Sequence, residues 1–192
     1  MQHILASLKE GGRACIVLDT GAVSRGSGSK SQNKEKSIRQ KLVEADLIEG
    51  VVLLPENLFY NTSAPGILLL LRRGKPAERA GQVLVVNASA HFVKRKPKNE
   101  LTGEGIAAVA DAARAWETRP KLSRVLTRDE VRAADYNLSP SQFVDVGEAI
   151  SHRPLWEILA DIEAARAERE EADTGLASLV ERLGLTGNPS VA

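Results

Sequence analysis

Cysteine, aromatic residues and net charge are all scarce in this chain of 192 residues. Cys15 is the only cysteine, which excludes an internal disulfide and a cysteine-rich zinc site. It sits in the apolar run Ala14-Cys15-Ile16-Val17-Leu18, where burial in a strand predicts an inert small hydrophobe rather than a nucleophile. The formal net charge is +1, so composition as a whole does not announce a nucleic-acid binder. No apolar run approaches the roughly 20 residues that a membrane helix needs. Residues 1–8 lack a basic stretch leading into a long apolar region, so no export signal is visible and the cytoplasm is the expected compartment. His3, His91 and His152 lie far apart without partners at ligand spacing, so no metal is assigned. Ser63 and Ser139 lack a nearby base and orienting acid, and nothing supports nucleophilic catalysis.

What is present fits a globular protein: 43% apolar and 27% charged residues, in a length that suits one domain plus an appendage or two small domains. The near-zero charge conceals a gradient. Residues 1–60 carry 8 basic and 7 acidic groups, residues 61–130 carry 13 and 7, and residues 131–192 carry 5 and 11. A basic middle suits phosphates or another acidic surface; an acidic end suits a solvated helix or a basic protein partner.

Hydrophobic patterning predicts a short helical turn at residues 4–8, stopped by Gly11-Gly12, and an apolar strand at 14–18 covered on both faces. The stretch from Ser24 to Lys34 is rich in glycine and serine and reads as a long mobile loop. Its Gly26-Ser27-Gly28-Ser29-Lys30-Ser31 fails as a phosphate-binding loop, because that motif requires glycine at 24 and 29, where Ser24 and Ser29 stand. Six basic residues between Arg25 and Lys41, against Glu35 alone, still suit a nucleic-acid backbone. Ile38, Leu42 and Ala45 imply a helix leading to a strand at 51–54. Further strands are predicted at 67–71 and 83–86, the first of them antiparallel to 51–54 because the connection is short and holds no helix. Ile106, Val109, Ala110, Ala113 and Trp116 make one apolar helical face, Thr127 and Glu130 have capping-box spacing, and residues 134–147 read as an irregular packed segment.

Two features point outward. Phe59-Tyr60, adjacent aromatics on a loop after a buried strand, suit either a stacking surface for a planar base or a hydrophobic plug under the sheet. Apolar residues recurring every three or four positions from Leu155 through Leu159, Ile162, Leu176 and Leu179 to Leu183 predict a long helix. Its seam packs on a partner or folds back onto its own domain.

The runs Leu8-Lys9-Glu10-Gly11-Gly12-Arg13-Ala14, Leu54-Pro55-Glu56-Asn57-Leu58-Phe59-Tyr60-Asn61-Thr62-Ser63-Ala64-Pro65-Gly66, Val86-Asn87-Ala88-Ser89 and Asp135-Tyr136-Asn137-Leu138-Ser139-Pro140 closely resemble the modification (methyltransferase) subunit of type I restriction-modification systems. They occur in order and with appropriate spacing over nearly the whole chain. Asn61 departs from the glycine of many relatives, and the loop at 24–37 resembles only some branches.

The resemblance implies an enzyme that methylates the exocyclic amine of adenine in DNA with S-adenosylmethionine. The family's glycine-rich cofactor turn and its Asn-Pro-Pro-Phe/Tyr catalytic element do not occur here; Asn188-Pro189 lacks the second proline. The expected fold is therefore α/β, the later half of a Rossmann-like S-adenosylmethionine-dependent methyltransferase sheet followed by a C-terminal helical extension. Residues 1–98 would hold the last strands, 99–150 a helical and irregular closing segment, and 151–192 the helical tail. The strands at 14–18, 51–54 and 67–71 would be the last three of seven, the final one inserted antiparallel between the other two.

By the same resemblance the chain has no catalytic residue of its own and binds no cofactor alone, S-adenosylmethionine serving the complete enzyme. Phe59 or Tyr60 is expected at the target base, and Arg25, Lys30 and Lys34 at DNA phosphates. The helix bearing Leu155, Leu159, Ile162, Leu176, Leu179 and Leu183 is expected on the specificity subunit. An upstream methyltransferase fragment or a second copy would cover the open edge of the first strand. The alternative is a non-catalytic interaction or DNA-binding remnant of such a subunit.

Overall fold

The computed structural model describes residues 2–29, 33–147 and 155–184. The chain divides into two compact units, 1–147 and 148–192. The first is an α/β unit in chain order α1 (Gln2–Ser7), β1 (Arg13–Asp19), α2 (Gly21–Ser24), α3 (Lys34–Glu44), β2 (Ile48–Leu53), β3 (Gly66–Arg72), β4 (Gln82–Asn87), β5 (Phe92–Val93), β6 (Glu100–Leu101), α4 (Gly103–Ala115), β7 (Ser123–Thr127), α5 (Arg128–Ala133) and α6 (Pro140–Phe143). The second unit contains α7, Leu155–Arg182. No helix among the described residues is long and apolar enough to cross a membrane.

Five strands form one sheet in the order β1-β3-β2-β4-β7. β3 is antiparallel to both its neighbours, with Ile16 opposite Leu69 on one side and Val51 opposite Leu69 on the other. The inserted antiparallel strand expected from the resemblance is thus present. β2 and β4 are parallel, and β7 closes the far side antiparallel to β4. β7 and the small β5–β6 hairpin were not expected: β7 is five residues of mixed burial, and β5 and β6 are two residues each.

Alternate residues of the central strands feed two cores, as a period of two requires. Val51, Leu53, Ile67, Leu69, Val83 and Val85 face one side with Leu42 and Val43 of α3 and Val131 of α5. Val52, Leu54, Leu84 and Val86 face the other with Ala112 of α4. The helices begin on satisfied caps: the Asn33 side chain accepts from the Glu35 and Lys36 amides, Thr102 accepts from Gly105, and Thr127 with Glu130 forms the capping box.

Three expectations need correction. β1 is not covered on both faces: its residues alternate between exposed and half-buried. Ala14, Ile16 and Leu18 pack on the first core, whereas Val17 and Cys15 are exposed, because they lie on the side of α4, which packs over β4. Cys15 is therefore not a buried hydrophobe. Ile106 is also exposed, since the packed face of α4 runs through Gly105, Ala108, Val109, Ala112 and Trp116.

The third correction concerns the glycine-serine loop, whose residues 24–29 are held rather than free. α2 forms at its start, and buried Arg39 reaches from α3 to donate to the carbonyls of Ala22, Arg25 and Tyr136 and to Ser27 Oγ. The Gly28 amide donates to Asp135 at 2.7 Å. Polar groups from a distant helix and turn supply the order that local apolar burial could not.

Two predictions follow the polar ties. Arg39→Met leaves part-buried carbonyls unpaired and is expected to destabilise the first unit by about 1–3 kcal/mol. Urea denaturation measures it, with faster tryptic cleavage after Arg25 marking release of the loop. Glu44 accepts from Arg132 and Tyr136, which hold its carboxyl down from 4.5 to about 2. A depressed folded-state pKa contributes stability above the unfolded value that disappears as pH falls through the folded one. The urea midpoint is expected to drop between about pH 4.5 and about pH 2, and Glu44→Gln to flatten that drop.

Candidate functional site

The parallel course of β1, β2 and β4 brings their carboxyl ends, Asp19, Leu53 and Asn87, to one edge of the sheet, where Asp19 pairs with Gly66 and Leu53 with both Ile67 and Asn87. Open α/β sheets bind ligands at this edge. Three connections leave from it: the segment 20–33, the aromatic loop 54–65, and residues 88–91 leading to the β5–β6 hairpin.

The aromatic loop is tightly built. Leu54 and Pro55 are buried, Asn57 adopts the left-handed region at φ 52°, and its amide donates to the Ser63 carbonyl at 2.8 Å. The β5–β6 turn fastens the loop from outside. Lys98 Nζ donates to Asn57 Oδ1 at 2.9 Å and to the Thr62 carbonyl at 3.2 Å. Asn99, itself buried, donates its amide to the Asn57 carbonyl and its side chain to the Glu56 carbonyl, both at 2.9 Å.

On this frame the adjacent aromatics separate. Phe59 packs inward against the second core and across Gly66, while Tyr60 is 86% exposed. The geometry of a plug belongs to Phe59 and that of an open stacking surface to Tyr60.

The basic residues expected at phosphates are in different situations. The Arg25 guanidinium is engaged by Glu35 at 2.7 Å and Asp19 at 3.1 Å. Lys34 opens α3 and is exposed, and Lys30 lies outside the described residues. Two of the three remaining motif segments serve as latches. Asn87 donates to the Val144 carbonyl at 2.9 Å and accepts from Ser89. Asp135 receives Lys36 and the Gly28 amide, which hold its carboxyl below its ordinary range, the Lys36 contact contributing most. Sequence reasoning missed the cationic run Lys94, Arg95, Lys96 and Lys98; the charge excess of residues 61–130 was the signal that contained it.

The turn after β1, Asp19-Thr20-Gly21-Ala22-Val23, carries a single glycine and so is not the glycine-rich turn that the resemblance assigns to S-adenosylmethionine. Gly21 lies against the ends of two side chains: a Cβ there would meet the Arg25 guanidinium at 2.2 Å and Asp19 at 2.6 Å. The neighbouring cavity of about 650 Å³ is lined largely by apolar groups such as Leu18, Val23, Ile38, Leu42 and Leu69. Among the described residues no group of three His, Cys, Asp or Glu side chains could hold a metal.

In the second unit, α7 carries Leu159, Ile162, Leu176 and Leu179, all exposed, with Leu183 just beyond its last residue. The side chain of Leu155 lies outside the described residues.

Phe59 and Gly66 form a testable pair. A Cβ at Gly66 would stand 2.7 Å from the Phe59 ring, so Gly66→Ala is expected to cost about 1–3 kcal/mol in urea denaturation. Combining it with Phe59→Leu is expected to cost less than the sum of the two single changes, because the smaller side chain vacates the same space.

Residues 1–152 match the family model described as N-6 DNA methylase. The MjaVII methylase subunit of a type I restriction enzyme from Methanocaldococcus jannaschii is 46% identical over 132 residues, covering 67% of this chain and 22% of that protein. The HindI methylase subunit from Haemophilus influenzae is 31% identical over 155 residues, covering 77% of this chain and 33% of that protein. Among solved structures, the methyltransferase subunit of a type I restriction-modification system from Streptococcus thermophilus superposes with a TM-score of 0.62 at 33% identity, over 70% of this chain and 27% of that one. The EcoKI M protein shares the fold, with a TM-score of 0.58 at 18% identity over 96% of this chain and 43% of that one. The chain therefore spans about a fifth to a third of the length of such curated relatives, and it belongs to the N-6 DNA methylase family of type I restriction-modification methyltransferase subunits.

Proposed function

We propose that these 192 residues are the C-terminal part of a type I adenine-N6 DNA methyltransferase subunit, supplying scaffold, DNA contacts and specificity-subunit contacts. S-adenosylmethionine binding and methyl transfer then reside in sequence outside them. The observation that carries the reading is the ordered motif set, matched at 31–46% identity to methylase subunits, in a chain that contains no Asn-Pro-Pro-Phe/Tyr element.

In this reading Tyr60 contacts the extruded adenine and Phe59 keeps the loop seated beneath it. Lys34, with Arg25 and Lys30, faces phosphates. The exposed seam of α7 docks on the specificity subunit. The open edge of β1 pairs with the segment that carries the catalytic half, because an unpaired strand edge seeks a complementary strand. Residues 99–150 close the partial methyltransferase domain.

Titration calorimetry of the chain with S-adenosylmethionine is expected to show no micromolar binding, and radiolabelled methyl transfer to DNA no product. Adding a segment that bears the Asn-Pro-Pro-Phe element is expected to restore transfer. Methylation by the chain alone would overturn the assignment.

A further inference from the structure

We propose that the turn of the β5–β6 hairpin, residues 94–99, grips the phosphate backbone of the DNA strand whose unstacked base lies on Tyr60. The inference rests on the reading of this chain as part of a DNA methyltransferase subunit and adds to it a phosphate site at a stated place.

Four cations, Lys94, Arg95, Lys96 and Lys98, fall within five positions, and Glu100 is the nearest acid in the chain. Their partners divide them. Arg95 forms a surface pair with Glu100 at 3.2 Å, and Lys98 is engaged by Asn57 and Thr62. Lys94 and Lys96 are exposed and have no acceptor among the described residues. A solvent-exposed pair of this kind needs no function by itself.

Its mounting gives it one. Lys96 and Tyr60 line the same groove of about 480 Å³, together with Leu58, Lys98, Asn99 and Glu100, whose carboxylate is paired with Arg95. The two walls of the groove are locked to each other by the Lys98 and Asn99 hydrogen bonds to residues 56, 57 and 62. An exposed ring and the unpaired Lys96 ammonium therefore share one rigid support, with Lys94 two residues away on the same turn. Single strands are held by this combination, in which aromatic faces stack bases while cations follow the backbone.

The groove is built from the loop that leaves the carboxyl end of β2 and from the hairpin that follows β4. A protein partner is disfavoured as the occupant, because the groove offers charged and amide side chains beside one exposed aromatic ring rather than a broad apolar core.

The test uses the whole 192-residue chain and fluorescence anisotropy with a labelled single-stranded oligodeoxynucleotide and its duplex, over a salt series. Lys94→Gln/Lys96→Gln is expected to weaken single-strand binding about tenfold at low salt, and to flatten the log affinity against log salt slope by about 1.4. Tyr60→Ser is expected to weaken binding by a similar factor with the slope unchanged. A control, Lys9→Gln/Arg114→Gln, removes the same charge elsewhere on the surface and is expected to leave the slope as it was. Thermal unfolding of each variant checks that the fold persists.

Equal losses in the control and hairpin variants would overturn the proposal in favour of net charge. Wild-type binding with an unaltered slope in the hairpin variant would overturn it while leaving DNA contact by the chain intact. No binding of either oligonucleotide by the wild type would remove both this site and the DNA-contact reading beneath it.

Discussion

The first unit depends on β3. It is the one strand that runs against both its neighbours, and its hydrogen bonds join β1 to β2. Ile67 and Leu71 are fully buried, so the same seven residues fix the register of three strands and fill the first core. A shift of one residue would exchange the two faces of the strand and expose that core. By separating β1 from β2, β3 also spaces the segment that follows β1 from the aromatic loop that follows β2 at the carboxyl edge.

Polar contacts complete what the apolar cores begin. Arg39 is desolvated, which lowers its pKa from the ordinary value, yet its donors are matched to carbonyls and a hydroxyl around the segment 22–27. Buried Glu49 plays a related part on β2, taking Arg72 at 3.1 Å and lying within ion-pair range of Arg13 and Arg79. Breaking a buried charge pair from one side leaves a desolvated charge, which gives these contacts a structural weight that exposed pairs lack. The basic middle of the chain is thus partly internal, and the charge left for a ligand is less than the residue count suggests.

Much of this was legible in the sequence. Apolar runs located β1 to β4, the Thr127-Glu130 spacing announced a capped helix, and the family motifs specified the inserted strand. The motifs also marked the aromatic loop. Non-local contacts were not legible. Exposure of Cys15 depends on where α4 packs, and order in the glycine-serine segment depends on Arg39 and Asp135. The difference between Phe59 and Tyr60 depends on the space above Gly66, which adjacent aromatic letters do not encode. The hairpin escaped notice because strands of two residues carry no periodicity; hydrogen bonds from Lys98 and Asn99 hold it in place instead.

The two tryptophans are divided between the units in a way that makes the chain its own spectroscopic probe. Trp116 ends α4 in a left-handed conformation, its indole N–H donating to Gln82 at 2.8 Å and the Arg79 guanidinium lying 4.5 Å from the ring centre. Trp156 sits 69% exposed near the start of α7. A half-buried indole beneath a cation and a solvated indole emit at different wavelengths and respond differently to aqueous quenchers. Fluorescence from a single sample therefore separates events in the sheet from events on the tail helix, without any added label.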